Sequence, residues 1–285
     1  MAQFQNQASI SYRGLTVNSN IVTGEVTQVL RMWKDATVNS YQTGDILTYV
    51  ISIQNFGTTD FTNLTLTDDL GAYAFAGGTL VPLSFTGDSV YYYTNGILQT
   101  PPATVAGPPL VISGITVYAG LSTLLIYRVR VNEYAPLGAG GVIENTATLT
   151  GGGLTEPITS TETVSAALAT SLSITKALSP TTVVENEQAV YTFTLQNTGA
   201  TAATAAAGVV LADTFNPALA SPVAVTLNGA PWAQAGNYTY DATTGAFATV
   251  AGRLTVPAAS YAQDAVTGVW SATAGVTTVT VSGVM

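Results

Sequence analysis

The chain has 285 residues, of which 47% are hydrophobic and only 8% are charged, and its net charge at pH 7 is −9. This length allows two domains of ordinary size. The acidic balance argues against nucleic acid or an anionic membrane as a partner, and the absence of an apolar run of about 18 residues argues against a membrane-spanning helix.

Cysteine and histidine are both absent from the chain. Without cysteine, neither a disulfide nor a thiolate site is expected. Without histidine, the commonest general base and metal ligand are missing, so an enzyme is the weakest functional reading and no cofactor or metal ion is expected. No secretory signal is recognised at the N-terminus, so we expect either a signal already removed or another route to the cell exterior.

The N-terminal segment, residues 1–26, resembles a second segment deep in the chain. Phe4–Thr16 reads FQNQASISYRGLT and Ile143–Thr155 reads IENTATLTGGGLT, and the two align without a gap. The identical pairs are Asn6/Asn145, Ala8/Ala147, Gly14/Gly153, Leu15/Leu154 and Thr16/Thr155. The internal copy closes a domain, whereas the N-terminal copy follows none and a third copy is missing before Met285. We therefore expect a subunit that polymerises head to tail.

The rest of the chain contains two copies of one strand-rich domain. Asp45–Gly57 and Gln188–Gly199 both alternate apolar and polar residues and end in a turn signal. The prediction is an all-β fold of two tandem immunoglobulin-like antiparallel β-sandwiches preceded by an N-terminal donor strand or hairpin. The predicted boundaries are 1–26 for the donor segment, 27–164 for a complete sandwich, and 165–285 for a sandwich that lacks its closing strands.

Several short motifs of the two domains resemble those of a known family. They are Ile174–Lys176 with the following Pro180, Tyr191–Gly199, Leu211 with Asp213, and Glu144–Thr148. Together they resemble the bacterial surface repeat called domain of unknown function eleven. The resemblance implies an immunoglobulin-like sandwich in cell-wall, S-layer or appendage proteins, and it implies no catalysis on a substrate.

The N-terminal segment carries the pattern of a strand with one apolar face. The alternation places Phe4, Asn6, Ala8 and Ile10 on the same side. A sandwich that lacks its last strands exposes an apolar groove and unpaired backbone groups, which invite a strand from another chain. We expect these four residues to form the donor strand that completes residues 165–285 of the next subunit; folding back onto the same chain is the alternative.

Polar residues occupy apolar positions of the strand alternation in the first domain. Lys34 falls in phase with Leu30 and Met32, and Asp68 and Asn145 occupy equally inward positions on two other strands. Burying such groups is costly unless they are paired. In general, burial lowers the pKa of an amine and raises that of a carboxylic acid, so that a neutral amine can attack a carboxamide beside a protonated acid.

We therefore predict Lys–Asn isopeptide bonds, similar to the autocatalytic cross-links of Gram-positive pilin and adhesin domains. Lys34 and Asn145 would be joined within the first domain, with Asp68 as the promoting acid. In the second domain, Lys176 and Asp213 hold the equivalent positions, and Asn6 of the next subunit would react with Lys176. A buried ion pair beside an amide, or edge residues that reach water, is the simpler interpretation.

Two further patterns suggest other roles. Asp68 and Asp69, with Asp45 or Asp88, lack the spacing of a calcium loop, so turn or solvated roles are favoured. Tyr91–Tyr93 and the tryptophans offer rings that stack on sugars, although aromatic residues at strand spacing are more often core or sheet surface.

The sequence thus predicts a structural subunit of an extracellular filament on a bacterial cell or spore surface. Its predicted partner is a second copy of itself. A monomeric surface adhesin or carbohydrate-binding module is the alternative.

Overall fold

The computed structural model describes residues 2–285, which form an all-β protein of mainly antiparallel strands, as predicted. The chain divides into two compact units. The first comprises residues up to Pro136, Gly141–Ala166 and Ala265–Val269, and the second comprises Leu137–Gly140, Ala167–Asp264 and Trp270–Met285. The helix found in residues 2–285 is the 3-10 turn Ala205–Ala207, and no helix in this range is long and apolar enough to cross a membrane.

Residues 2–26 form one long two-stranded hairpin, here called the N-terminal hairpin. Its strands are β1 (Ala2–Asn6), β2 (Ser9–Tyr12), β3 (Leu15–Asn18) and β4 (Val22–Val26). Strand β1 pairs with β4 and β2 pairs with β3, both antiparallel. Arg13 and Gly14 both have positive φ and make the two-residue turn between β2 and β3, a geometry that suits the twist of tight hairpins.

The first sandwich is built from fourteen strands in two main sheets. They are β5 (Leu30–Ala36), β6 (Ser40–Tyr41), β7 (Ile46–Asn55), β8 (Phe61–Asp68), β9 (Tyr73–Phe75), β10 (Gly78–Leu80), β11 (Leu83–Phe85), β12 (Tyr91–Thr94), β13 (Ile97–Gln99), β14 (Ala103–Val105), β15 (Leu110–Val117), β16 (Ser122–Val131), β17 (Val142–Gly151) and β18 (Ile158–Ala166). One sheet has the order β13-β12-β16-β7-β5, with β11 also on β16, and the other has the order β14-β15-β8-β17-β18-β6.

Strict alternation in the long strands builds the core of this sandwich. In β7, Leu47, Tyr49, Ile51 and Ile53 are all buried, while the residues between them are partly exposed. Because successive side chains of a strand point to opposite faces, one face of each sheet meets the other across a continuous apolar core.

The second sandwich repeats part of this plan with fewer strands. They are β19 (Leu172–Ser179), β20 (Gln188–Asn197), β21 (Ala212–Thr214), β22 (Ala224–Leu227), β23 (Ala230–Pro231), β24 (Tyr238–Asp241), β25 (Ala246–Thr249), β26 (Ser260–Gln263), β27 (Trp270–Thr273) and β28 (Gly275–Val284). Its five-stranded sheet, β19-β20-β28-β22-β23, matches β5-β7-β16-β12-β13. Its three-stranded sheet, β21-β25-β24, matches only β8-β15-β14. Within residues 2–285, the second sandwich has no equivalent of β17 and β18.

One aligned segment forms less strand than its counterpart. Residues Val209–Asp213 correspond in sequence to Leu64–Asp68, the end of β8. Strand β21, however, begins only at Ala212. Strand β8 is paired on both edges, by β15 and by β17, whereas β21 is paired by β25 alone. A strand with one neighbour has fewer ladder hydrogen bonds to extend it, which accounts for the difference.

A buried asparagine closes the same turn in both sandwiches. The side chain of Asn55 donates to the Thr59 carbonyl at 2.8 Å and accepts from the Gly57 N–H at 2.8 Å. Asn197 makes the equivalent pair of bonds in the second sandwich. Both side chains are almost fully buried, so each satisfies backbone groups that would otherwise lack a partner.

Replacing Asn55 by alanine is therefore expected to destabilise the first sandwich by about 1–3 kcal/mol, because buried backbone groups lose their partners. Denaturant unfolding of the full chain measures the change. Gln54→Ala is the matched control, with an expected change within about 0.5 kcal/mol because that side chain is partly exposed. Equal losses in the two variants would contradict the role assigned to Asn55.

Candidate functional site

The same type of hairpin occurs twice, once buried and once exposed. In the hairpin of β17 and β18, Ile143 and Leu149 are fully buried in the first sandwich. Their counterparts in the N-terminal hairpin, Phe4 and Ile10, are 54% and 70% exposed. An isolated two-stranded hairpin is at best marginally stable in water, so the N-terminal copy has an apolar face that lacks the cover its counterpart receives.

The second sandwich exposes the surface that such a hairpin covers in the first. Strand β18 packs on β5, where Leu30 and Met32 are buried, at 2% and 6% exposed. Their counterparts on β19, Leu172 and Ile174, are 45% and 54% exposed. The residues predicted to point into the second core thus lie on an open apolar face.

A free sheet edge lies beside this face. Strand β21 is the last strand of its three-stranded sheet, at the place where β8 is joined by β17. The backbone groups along the outer edge of an end strand have no ladder partner, which makes the edge a template for another strand.

Lys34, the lysine predicted to react in the first sandwich, forms a buried ion pair with Asp68. Lys34 Nζ donates to Asp68 Oδ2 at 2.5 Å, and both side chains are completely buried. Burial lowers the pKa of Lys34, and the charge of Asp68 only partly opposes this. The Tyr127 hydroxyl donates to the same Asp68 oxygen, and the Leu70 N–H donates to the other at 2.9 Å.

Asn145 is held by the turn that follows Asp68. Its side-chain oxygen accepts a hydrogen bond from the Gly71 N–H at 3.2 Å, and the residue is fully buried. Within residues 2–285, neither its amide nitrogen nor the Tyr49 hydroxyl has a hydrogen-bond partner. Burial raises the pKa of Tyr49, and a polar interaction with the Asn145 side chain partly offsets that rise. The two groups are therefore neighbours, although no hydrogen bond of good geometry joins them.

The second sandwich contains the same ion pair in a more open setting. Lys176 Nζ donates to Asp213, and the two side chains are 40% and 19% exposed. Lys176 Nζ lies 4.7 Å from the centre of the Tyr191 ring, the same distance that separates Lys34 Nζ from the ring of Tyr49. Asn6, the predicted reaction partner of Lys176, lies exposed in β1.

Tyr127 belongs to the cluster around Lys34 and Asp68, and the sequence did not predict it. This residue falls in the buried phase of β16 together with Leu125 and Val129, so a hydroxyl among apolar residues was the available signal. Tyr127 lies opposite Tyr49, and the residue in the same register of the second sandwich is Val281. The second cluster therefore has no counterpart of the Tyr127 hydroxyl.

Three of the residues considered for calcium or sugar binding have structural partners. Asp45 accepts from the Gln42 N–H at 2.8 Å, and Asp69 accepts from two backbone N–H groups. Residues 2–285 contain no group of three or more acidic side chains placed to hold a metal ion. Tyr92 is buried and its hydroxyl bonds to the backbone of Thr116, which is a structural role.

No protein-family model and no curated protein matches the chain, so the resemblance to domain of unknown function eleven stays a prediction. Among solved structures, the chain is similar to the major pilin subunit of Bacillus cereus, with 12% identity, 80% of this chain and 59% of that chain covered, and a TM-score of 0.40. The pilus backbone of Streptococcus pneumoniae gives 13% identity, coverage of 86% and 55%, and a TM-score of 0.36.

The chain spans little more than half the length of these two pilus proteins. A family 123 glycoside hydrolase from Clostridium perfringens also matches, with 11% identity, 47% of this chain and 27% of that chain covered, and a TM-score of 0.30. Matches this distant, to a hydrolase as well as to pilins, carry no argument about function, which has to be argued from the chain itself.

Removing the lysine of the buried ion pair is expected to lower the free energy of unfolding far more than removing the lysine of the exposed pair. Lys34→Met leaves Asp68 buried without its cation, and the expected loss is about 3–5 kcal/mol. Lys176→Met is expected to change the stability of the monomer by at most about 1 kcal/mol, because water screens that pair. Denaturant unfolding measures both, with Asn145→Ala as the common background so that the predicted bond to Lys34 does not form.

The double variant Lys34→Met with Asp68→Leu is the control for this comparison. It removes both charges, so most of the loss should be recovered. Losses of similar size for Lys34→Met and Lys176→Met would show that burial does not distinguish the two pairs.

Proposed function

We propose that the protein is a structural subunit that polymerises head to tail. The N-terminal hairpin of one copy covers the open face of β19 and pairs with the free edge of β21 in the next copy. One observation carries the proposal. The chain exposes a hairpin of the type that closes the first sandwich, while its second sandwich has no such hairpin within residues 2–285.

The pairing in the first sandwich supplies the register for the proposed joint. Ala147 of β17 lies opposite Asp68 of β8. The equivalent alignment places Ala8 opposite Asp213, and Asn6 then takes the position that Asn145 holds near the buried ion pair. Main-chain hydrogen bonds supply affinity in this mode of strand addition, and alternate side chains supply specificity.

Apolar side chains supply the driving force. Phe4 and Ile10 of the hairpin, with Leu172 and Ile174 of the open face, become covered together. Full burial of such a side chain contributes roughly 1.5–3 kcal/mol. The ring of Phe4 already lies across Gly24, where an added Cβ would be 2.4 Å from the ring, so the hairpin presents this ring in a defined position.

The joint uses two different surfaces of the subunit. A contact of this heterologous kind leaves one free hairpin and one open edge at the ends of every oligomer, so growth continues into a filament unless the rotation closes a ring. An extracellular position on a bacterial cell or spore belongs to the same proposal, in keeping with a surface that relies on uncharged polar residues.

We further propose that the first sandwich forms an isopeptide bond. Proton transfer from Lys34 to Asp68 leaves a neutral amine. Nζ then bonds to Cγ of Asn145, whose oxygen is polarised by the Gly71 N–H. The bond from Cγ to Nδ2 breaks, and this nitrogen, which lacks a partner in the core, leaves as ammonia with a proton delivered through the acid.

The joint between subunits is proposed to undergo the same reaction. Lys176 and Asp213 already form a pair, but they remain partly exposed. Docking of the hairpin excludes water from the pair and brings Asn6 to it. Desolvation then favours the neutral amine, so that the bond forms only after assembly.

Filament formation is expected to depend on the inward face of the hairpin. Deletion of residues 1–26, or Ile10→Asp alone, should leave monomers, because the groove then receives no strand or receives a buried charge. Ser9→Asp, on the outward face, should still polymerise. Negative-stain microscopy and size-exclusion chromatography distinguish the outcomes. Filaments from the truncated protein, or a wild-type monomer with a protected hairpin, would reject polymerisation by this route.

The proposed bonds are expected to appear in intact-mass spectra of denatured protein. Each bond lowers the mass by about 17 Da, one molecule of ammonia. Asn145→Ala should abolish the loss within the first sandwich. Asn6→Ala should leave filaments visible by negative-stain microscopy. After boiling, however, this variant should run as a monomer on a denaturing gel, where the wild type runs as a ladder of covalent oligomers. Unreacted wild-type monomer from boiled, mature filaments would rule out the bonds without touching the polymerisation proposal.

A further inference from the structure

The two ion pairs differ in the hydrogen-bond donors that remain beside the carboxyl group after the lysine reacts. When Nζ of Lys34 becomes an amide nitrogen, the cation beside Asp68 is lost. The carboxyl group then stays in a core where its side chain has no exposure to water. A buried carboxyl group without a cation depends on hydrogen-bond donors around it.

The first sandwich supplies two such donors that the reaction does not consume. The Tyr127 hydroxyl donates to Oδ2 and the Leu70 N–H donates to Oδ1 at 2.9 Å. Burial and the nearby charge of Asp68 raise the pKa of Tyr127 well above its usual value, so the hydroxyl keeps its proton. The same hydrogen bond fixes the carboxyl group on the side of Lys34 before the reaction begins.

The second sandwich lacks the hydroxyl. In the register of the sheet, Val281 lies opposite Tyr191 as Tyr127 lies opposite Tyr49. Val281 is fully buried and offers no donor. The backbone donor is absent as well, because the Phe215 N–H, which corresponds to that of Leu70, donates to the Gly245 carbonyl at 2.9 Å. After docking, Asp213 would be shielded from water without either of the donors that Asp68 has.

We infer that Tyr127 is a positioning residue for bond formation in the first sandwich. We also infer that Val281 in its place, together with the Phe215 N–H that is bonded elsewhere, makes the bond between subunits form more slowly than the bond within them. This inference rests on the proposed isopeptide chemistry. Each subunit therefore closes its own first sandwich early, while new joints between subunits remain non-covalent and reversible for a time. The covalent filament is the later product.

The balance of the step is the same at both sites. A bond forms between lysine Nζ and asparagine Cγ, and the bond from Cγ to Nδ2 breaks. The lysine ammonium gives up two protons: one passes through the acid to Nδ2, which leaves as ammonia, and the other stays on the carboxyl group. No oxidant or reductant takes part. Tyr127 neither gains nor loses a proton overall; it acts through the carboxyl group of Asp68.

The test follows ammonia loss in the full-length chain with time after cell-free synthesis, by intact mass under denaturing conditions. Tyr127→Phe should slow the loss in the first sandwich about tenfold or more, the effect expected for one hydrogen bond to a charged group. Tyr92→Phe is the matched control, since it removes a buried hydroxyl whose hydrogen bonds go to the backbone of Thr116. It should react at the wild-type rate even if it lowers stability.

A second measurement does not require the Tyr127 variant to fold. In wild-type filaments, the boiled ladder should develop about tenfold more slowly than the mass loss within the first sandwich, and Val281→Tyr should accelerate the ladder. A wild-type rate for Tyr127→Phe, or equal rates at the two sites of the wild type, would overturn the inference. Absence of ammonia loss at both sites would overturn it too, while filaments on grids would still support polymerisation.

Discussion

The pairing of a closing hairpin with a sheet edge is the interaction on which the rest of this structure depends. In the first sandwich, β17 and β18 satisfy the edge of β8 and cover β5, so that the core reaches its full burial. In the second sandwich, the same edge and the same apolar face are open. Unpaired backbone groups and exposed apolar side chains are both unfavourable, and the proposed joint between subunits would remove both.

Water exclusion links this packing to chemistry. Lys34 and Asp68 are chemically the same pair as Lys176 and Asp213, yet only the first pair is fully buried. A charged amine in water is stable and unreactive, whereas burial favours its neutral form. Under the proposed function, the hairpin that completes the second core also excludes water from Lys176 and Asp213 and supplies Asn6. Assembly and covalent closure then have one physical cause.

The two clusters retain some groups and differ in others. The ring beside each lysine is retained, at 4.7 Å in both sandwiches. The hydroxyl on the next strand is present as Tyr127 and absent at Val281. The Leu70 N–H donates to Asp68, whereas the corresponding Phe215 N–H donates to Gly245. Under the proposed chemistry, these differences change how well the carboxyl group is hydrogen-bonded once its cation is lost.

The sequence by itself determined the all-β class, the repeat, and the hairpin motif shared by Phe4–Thr16 and Ile143–Thr155, because strand alternation and duplicated residues are local patterns. Only the tertiary structure decided that Phe4 and Ile10 are exposed while Ile143 and Leu149 are buried. Alternation states which residues share a face, but not whether another sheet covers that face. For the same reason, the part played by Tyr127 emerged only when two sheets brought β16 and β8 together.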